Sequence, residues 1–290
     1  MRFFALAMTC TFALTAVSAR VAVSATAAAP DASAGVPDSV SLTTRSDYAA
    51  TLPTGRAVMI DNPYGDVHVR FGGFEHKVET HAVLQEPNGA AHIALEPGDT
   101  QNFYSLVPRL PAGTTLSEGQ RLDLAVLIPE GHALRVRTEQ GEIDVHGVRG
   151  DVDLRSGNGN INLRGISGAI RAETGAGQIE AALGTAPRKS AQRLATRTGM
   201  LIVAVDDALD ADVELATSGV FATEYSLKVM PRPGEEPNKR ARSLIGRDTA
   251  KLTLESRRGE IRLLRRAGFT QSDGKHQEVR QAQQQDNDSD

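Results

Sequence analysis

The sequence predicts an all-β chain, a β-solenoid or single-stranded β-helix-like stack of 18–22-residue repeats. Three observations carry that expectation: a glycine-anchored repeat, an alternation of apolar and polar residues on both sides of each anchor, and a single cysteine that lies near the start, outside the repeats. Read in chain order, the expected organisation is a signal peptide over 1–29, a linker over 30–41, the β-strand repeat domain over 42–267 and a disordered polar tail over 268–290.

The chain opens with one early cation, Arg2, then an apolar run from Phe3 to Leu14 and small-residue sites at Val17-Ser18-Ala19 and Val23-Ser24-Ala25. Charged, apolar and small segments in that order suit a secretory signal, because a short apolar helix engages the export machinery and the peptidase needs small side chains. A retained membrane helix is the weaker account: the run is short for a bilayer core of about 30 Å, and Arg20 interrupts it. Removal of the segment up to Ala29 takes away two arginines and no acid, which moves the formal charge from −4 to −6. A mildly acidic mature protein does not recommend nucleic acid as a partner. Cys10 falls inside the signal, with Ala7 and Thr9 where a lipidation motif would carry an apolar and a small residue. After cleavage no disulfide, thiolate nucleophile or cysteine metal ligand is expected.

The repeat is clearest at Gly141, Gly159 and Gly177, eighteen residues apart. Each is followed by an alternating pair (Ile143 and Val145, Ile161 and Leu163, Ile179 and Ala181) and preceded by another (Leu134 and Val136, Val152 and Leu154, Ile170 and Ala172). Three residues before each glycine stands a hydroxyl, at Thr138, Ser156 and Thr174, and a second turn is marked by Gly147, Gly165 and Gly184. The frame recurs with looser spacing at Gly65, Gly199, Gly219 and Gly259, giving seven anchors. Period-two alternation puts the apolar side chains on one face of each short strand. The anchoring glycines are expected to supply backbone angles that a Cβ would penalise.

One unit cannot fold alone. It buries four or five aliphatic side chains at roughly 1.5–3 kcal/mol each, while ordering its residues costs about 1–2 kcal/mol apiece. Stacked units can fold, because each offers its apolar row and its backbone groups to the next. In register, Arg135, Asp153 and Arg171 would form one outward column and Asp144, Asn162 and Glu180 another, about 4.8 Å apart. The first reads as a solvated ion-pair ladder and the second as a hydrated polar face, not as a cation site.

Two stretches depart from the frame. Strand-like runs at 78–84, 91–95 and 122–128 flank a Gly-, Pro-, Thr- and Ser-rich stretch over 97–120, and the region reads as extra coils or a less regular sheet carrying a long loop. A second departure carries Pro231, Pro233 and Pro237 with Lys228, Arg232, Lys239, Arg240, Arg242 and Arg247. As a basic loop projecting from the stack, it is the candidate contact for an anionic partner such as a phosphorylated or acidic envelope glycan.

Catalytic signatures do not appear. The nearest approach to a nucleophile elbow, Gly165 to Ala169, has alanine in place of the second glycine. There is no phosphate-binding loop, and the seven histidines show no metal-protease spacing and read as isolated surface residues. A calcium roll would need turn aspartates where Asn158, Asn160, Ala176 and Gln178 stand. No cofactor and no metal are expected.

Two stretches, VMIDNPYGDVHV (58–69) and the run from Asp123 to Leu183 with its Pro129-Glu130-Gly131 turn, carry a resemblance to the bacterial putative-adhesin family, a domain of unknown function made of β-strand repeats. The resemblance covers about Leu42 to Leu264 and implies a solenoid-like all-β fold and a cell-envelope setting, with no catalytic residues to carry over. The expected function is that of a non-catalytic exported protein, in the periplasm or at the cell surface, that binds or scaffolds an envelope polymer or protein. The alternatives are a carbohydrate-active β-helix enzyme, which converging carboxylates would mark, and a structural protein that self-associates through its end coils. No transmembrane helix is expected after signal cleavage, and function is expected on the two irregular stretches more than on the repeats.

Overall fold

A computed structural model describes residues 20–23, 41–73, 76–184, 190–206, 208–247 and 250–266. The expectations for Cys10, for most of the signal and linker and for the polar tail lie outside the described residues. Among the described residues every named element is a strand, and the strands form two mixed, mostly parallel sheets of eleven.

The front sheet runs, in spatial order, β1 (Arg20–Val23), β2 (Ser41–Thr51), β5 (Lys77–Pro87), β8 (Arg121–Ile128), β4 (Val67–Phe71), β10 (Ile143–His146), β12 (Ile161–Arg164), β14 (Ile179–Leu183), β16 (Leu201–Val205), β22 (Ile261–Arg265) and β18 (Phe221–Thr223). The back sheet runs β19 (Lys228–Pro231), β20 (Lys239–Ile245), β17 (Ala211–Thr217), β21 (Ala250–Ser256), β15 (Ala191–Thr196), β13 (Ile170–Thr174), β11 (Val152–Ser156), β9 (Leu134–Thr138), β3 (Ala57–Asn62), β7 (Phe103–Leu106) and β6 (Pro97–Asp99). Each repeat predicted from a glycine anchor is one back strand, one turn and one front strand.

Parallel pairing sets the repeats in register. Ile143 lies beside Val67 and Ile161, and Ile161 beside Ile179; on the back sheet Leu154 lies between Val136 and Ala172. All of these side chains are buried, so the core is a set of aliphatic columns between the sheets. Each fully buried aliphatic side chain contributes roughly 1.5–3 kcal/mol.

The seven anchor glycines form one column, but for a different reason from the one expected. None of the seven has a positive φ. A Cβ on Gly141 would overlap the Gly65 carbonyl oxygen, one on Gly159 that of Gly141, one on Gly177 that of Gly159, one on Gly199 that of Gly177, one on Gly259 that of Gly199, and one on Gly219 that of Gly259. Close approach of successive turns excludes a side chain there. The left-handed conformation belongs to the second turn, at Gly147 and Gly165.

The hydroxyl three residues before the glycine serves the same column. Thr174 donates to the Gly159 carbonyl at 2.9 Å and accepts from the Gly177 N–H at 3.3 Å; Ser256 donates to Gly199 at 2.9 Å and accepts from Gly259 at 2.9 Å. Each hydroxyl thereby satisfies one donor and one acceptor that a buried turn would otherwise strand. In the Gly65 unit the place is held by Asn62, whose Nδ2 donates to the Leu122 carbonyl at 2.8 Å.

Stacking order departs from chain order at both ends. The β3–β4 pair lies between β7–β8 and β9–β10, although it precedes both in sequence. The β21–β22 pair, last among the described strands, lies between β15–β16 and β17–β18. The predicted loop over 97–120 contains strands β6 and β7, with Tyr104 and Leu106 buried. The run at 91–95 forms only an isolated bridge between Ala94 and Arg109. Antiparallel strands close the stack: β5 sits between β2 and β8 at one end of the front sheet, and β20 and β19 follow β17 at the opposite end of the back sheet. Strand β1 lies within the segment expected to be the signal peptide and pairs antiparallel with β2.

Candidate functional site

The basic insertion is a hairpin, β19–β20, that extends the back sheet, and not a projecting loop. Most of its cations are engaged within the protein. Arg242 grips Asp212 through two hydrogen bonds of 2.6 Å, Arg247 pairs with Asp210 at 3.2 Å, and Arg232 pairs with Glu235 at 3.1 Å. Lys239 Nζ donates to the carbonyl of Gly219, the last turn of the glycine column, and so caps the column where no further unit can supply a hydroxyl. Lys228 and Arg240 remain on the outer face without an acidic partner among the described residues. Four of the six predicted contacts therefore hold the cap together, because antiparallel pairing lays β20 along β17 and brings Arg242 and Arg247 beside Asp212 and Asp210.

Alternation brings a different group of cations together. On strands β9 to β15 the inward residues fill the core, and the outward residues are Arg135 and Arg137, Asp153 and Arg155, Arg171 and Glu173, and Arg193 with Ala191 and Ala195. Only the first rung of the predicted ladder forms: Arg135 lies 3.5 Å from Asp153, whereas Arg171, next in the column, turns to Glu173 on its own strand. Asp153 is shared with Arg155 at 3.5 Å, and Glu173 is shared between Arg171 at 2.9 Å and Arg193 at 3.5 Å. Sequence reasoning named only one residue per repeat; the second outward residue, two positions on, was legible from the same alternation.

Two grooves cross this face. One, of about 430 Å3, spans β3 to β15 and is lined by Met59, Ala133, Arg135, Asp153, Ala169 and Arg171 among others. The second, of about 440 Å3, lies where the hairpin meets the stack and is lined by Arg193, Glu214, Arg232, Arg240, Arg242 and Glu255 among others.

The front face is differently disposed. Asp144, Asn162 and Glu180 stand in register, as predicted, but each is taken: Asp144 by Arg70, Asn162 by Glu142 and Glu180 by Arg164. The nearest approach of two carboxylates to a site is Asp66 and Asp123, both bound by Arg121 at 2.7 Å beside a groove of about 480 Å3. Both also serve the turn column: Asp123 Oδ1 accepts from the Asp66 N–H as well as from Arg121, and Asp66 accepts from Arg121 on Oδ2 and from the Glu142 N–H on Oδ1. Hydrogen bonding to Asp123 raises the Arg121 guanidinium further above its ordinary value. This cluster is a terminus for the stack more than a catalytic dyad. Among the described residues no group of three or more His, Cys, Asp or Glu is placed to hold a metal ion. The histidines are separate, but His132 departs from the surface expectation: it is 1% exposed, with Nδ1 donating to the Arg56 carbonyl at 2.8 Å.

No protein-family model matches the chain, and no curated protein matches it. Among solved structures, the chain is similar to a putative cell adhesion protein from Clostridium sporogenes, at 9% identity and a TM-score of 0.44, covering 76% of this chain and 99% of that one. It is also similar to a putative adhesin from Bacteroides fragilis, at 12% identity and a TM-score of 0.23, covering 79% of this chain and 100% of that one. Both names agree with the family that the repeats resemble.

Proposed function

We propose that this chain is an exported, non-catalytic envelope protein, a β-solenoid whose stacked coils offer an adhesin-like surface for binding or scaffolding envelope polymer or protein. The observation that supports this reading best is the division of labour along each strand. Inward residues and the turn glycines and hydroxyls are consumed by stacking, while the outward residues form long uninterrupted columns that a partner can reach. A surface of that kind suits an extended partner lying across many coils. The apolar start of the sequence, followed by small-residue sites, supports export, and no helix among the described residues is long and apolar enough to cross a membrane.

The test is to express the full chain with its native start, follow its location by fractionation, and measure retention of the exported form on isolated envelope fractions. Recovery outside the cytoplasm together with saturable retention is the expected result. A chain that stays in the cytoplasm, or that is exported but is retained by no envelope fraction, would overturn the reading. Turnover of an envelope glycan by the purified chain would replace it with the enzyme alternative.

A further inference from the structure

The geometry points to the outer face of the back sheet as a track for a linear acidic polysaccharide, laid along the stacking axis with its carboxylates on the arginines of successive coils. This rests on the reading of the chain as an envelope-polymer binder and names the polymer's chemistry and its place.

Charge stoichiometry is the first argument. Across β9, β11, β13 and β15 the outward residues include five arginines, Arg135, Arg137, Arg155, Arg171 and Arg193, against two acids, Asp153 and Glu173. Each of those acids is already divided between two arginines, Arg193 also pairs with Glu255 of the next strand at 3.0 Å, and Arg137, beside Asp61 of β3 in register, makes no ion pair among the described residues. Register sets like charges side by side twice, Arg137 next to Arg155 and Arg171 next to Arg193. Like charges directly opposite on neighbouring strands are destabilising, so at these two arginine pairs the anionic groups of a ligand would relieve repulsion that the protein's own acids leave in place. The Asp153–Arg155 contact at 3.5 Å leaves Asp153 Oδ1 and Arg155 Nε, both buried atoms, without a hydrogen bond.

Spacing is the second argument. Neighbouring coils are about 4.8 Å apart, close to the rise of one pyranose residue along a glycan, so a uronate chain running down the axis keeps step with the coils and sets a sheet-facing carboxylate at every coil or every second coil according to its twist. An extended peptide repeats its same-face side chains every two residues, about 6.6–6.8 Å, and falls out of step. Single-stranded nucleic acid needs aromatic platforms, which strands β9 to β15 do not carry. Ala57, Ala133, Ala169 and Ala191 line the first groove together with Asp151, and the small alanine side chains leave room for a flat ring to lie against the sheet. The track continues past Arg193 into the second groove, where Arg240 of the hairpin stands. From β9 to β20 it crosses six inter-strand spacings, about 29 Å.

The experiment measures binding of oligouronates of increasing length to the exported full chain, beside neutral dextran, a single-stranded oligonucleotide and polyglutamate of matched charge. Uronate affinity should rise with length until the track is filled and fall with salt, as an arginine-rich exposed surface requires. The double variant R137Q/R171Q should lose about tenfold or more in affinity, while R262Q on the front face should not change it. Unfolding midpoints of both variants, matched to the parent, show that the fold is intact. Equal uronate binding by R137Q/R171Q, or binding of the oligonucleotide or polyglutamate as tight as that of uronate, overturns the proposal. Retention of the parent on envelope fractions separates the two readings: if R137Q/R171Q is retained equally, the track is wrong and the envelope role stands, whereas loss of all retention by the parent removes both.

Discussion

Between Leu134 and Leu183 the order of units along the chain is the order in which they stack; at both ends it is not. The middle is three copies of one solution, each bonded to the next by the same glycine approach, hydroxyl and aliphatic columns. The ends have to stop a parallel sheet, and they do so crosswise. At the first end the front sheet receives the long antiparallel strands β2 and β5 while the back sheet ends in the three-residue β6. At the other end the back sheet receives the hairpin β19–β20 while the front sheet ends in the three-residue β18. Short edges and antiparallel covers both discourage further strand addition. The contrast separates two kinds of information: a repeat encodes how to stack, and irregular segments encode where stacking ends.

The largest test of that contrast is at the glycine column. Gly159→Ala places a methyl against the Gly141 carbonyl oxygen in a unit locked on both sides, and the backbone cannot retreat without breaking ladder bonds. A loss of about 3–5 kcal/mol in urea unfolding is expected, at the upper range of single substitutions. Gly219→Ala meets Gly259 in the outermost glycine turn, whose front strand has a free edge and can shift outward, so about 1 kcal/mol is expected there. Equal losses at the two sites would mean that the ends are as rigid as the middle and that the distinction fails.

Much of the middle was legible in the sequence, and particular residues show why the ends were not. All seven anchor glycines were visible, as was the hydroxyl three residues before the main ones, because a periodic constraint leaves a periodic trace. The physical cause assigned to the glycines was wrong, since alternation says nothing of how closely two turns approach. Asn62 was hidden because its amide does the hydroxyl's work with a different side chain. Strand β7 was hidden because only Tyr104 and Leu106 alternate inward, too short a signal inside a Pro- and Gly-rich stretch. The swapped order was not legible at all: spacing identifies the units but carries no record of which one lies next to which. In the candidate site, the basic residues of the hairpin attracted notice by clustering in sequence, yet Arg242, Arg247, Arg232 and Lys239 are spent on the cap. The arginines of β9 to β15 are dispersed in sequence and become neighbours only through register.

A smaller effect sharpens the comparison from the first end. Burial pushes the Tyr104 hydroxyl up to about 12, from an ordinary value of 10.0. A group whose folded-state value is raised contributes its stability below the unfolded value and loses it as the pH climbs through the folded one. The difference in unfolding free energy between the parent and Tyr104→Phe should therefore be constant below about pH 10 and should shift by about 2–3 kcal/mol against the parent by about pH 12. Hydrogen exchange at high pH should show β7 and β6 opening before β11 and β13. A pH-independent difference would show that Tyr104 ionises as freely in the fold as out of it.

The smallest effect is the most discriminating, because it changes the same atom in both regions. Thr174→Val and Thr217→Val each replace a hydroxyl by a methyl of the same shape. Thr174 bonds the Gly159 carbonyl and the Gly177 N–H in the middle of the stack; Thr217 bonds the Gly259 carbonyl at 2.6 Å and the Gly219 N–H at 2.8 Å at its end. Losing one donor and one acceptor costs about 1–2 kcal/mol at either place. What should differ is where the cost is read. In the middle, opening a turn exposes units on both sides, so Thr174→Val should lower the global unfolding free energy and slow-exchanging amides throughout β11 to β14 should report it equally. At the end, β18 is three residues long and bonded on one side, so Thr217→Val should speed exchange in β18 and leave the amides of β12 within about 0.5 kcal/mol of the parent. If Thr217→Val lowers protection in β12 as much as in β18, the stack unfolds as one cooperative block and the end coils are not separable from the middle.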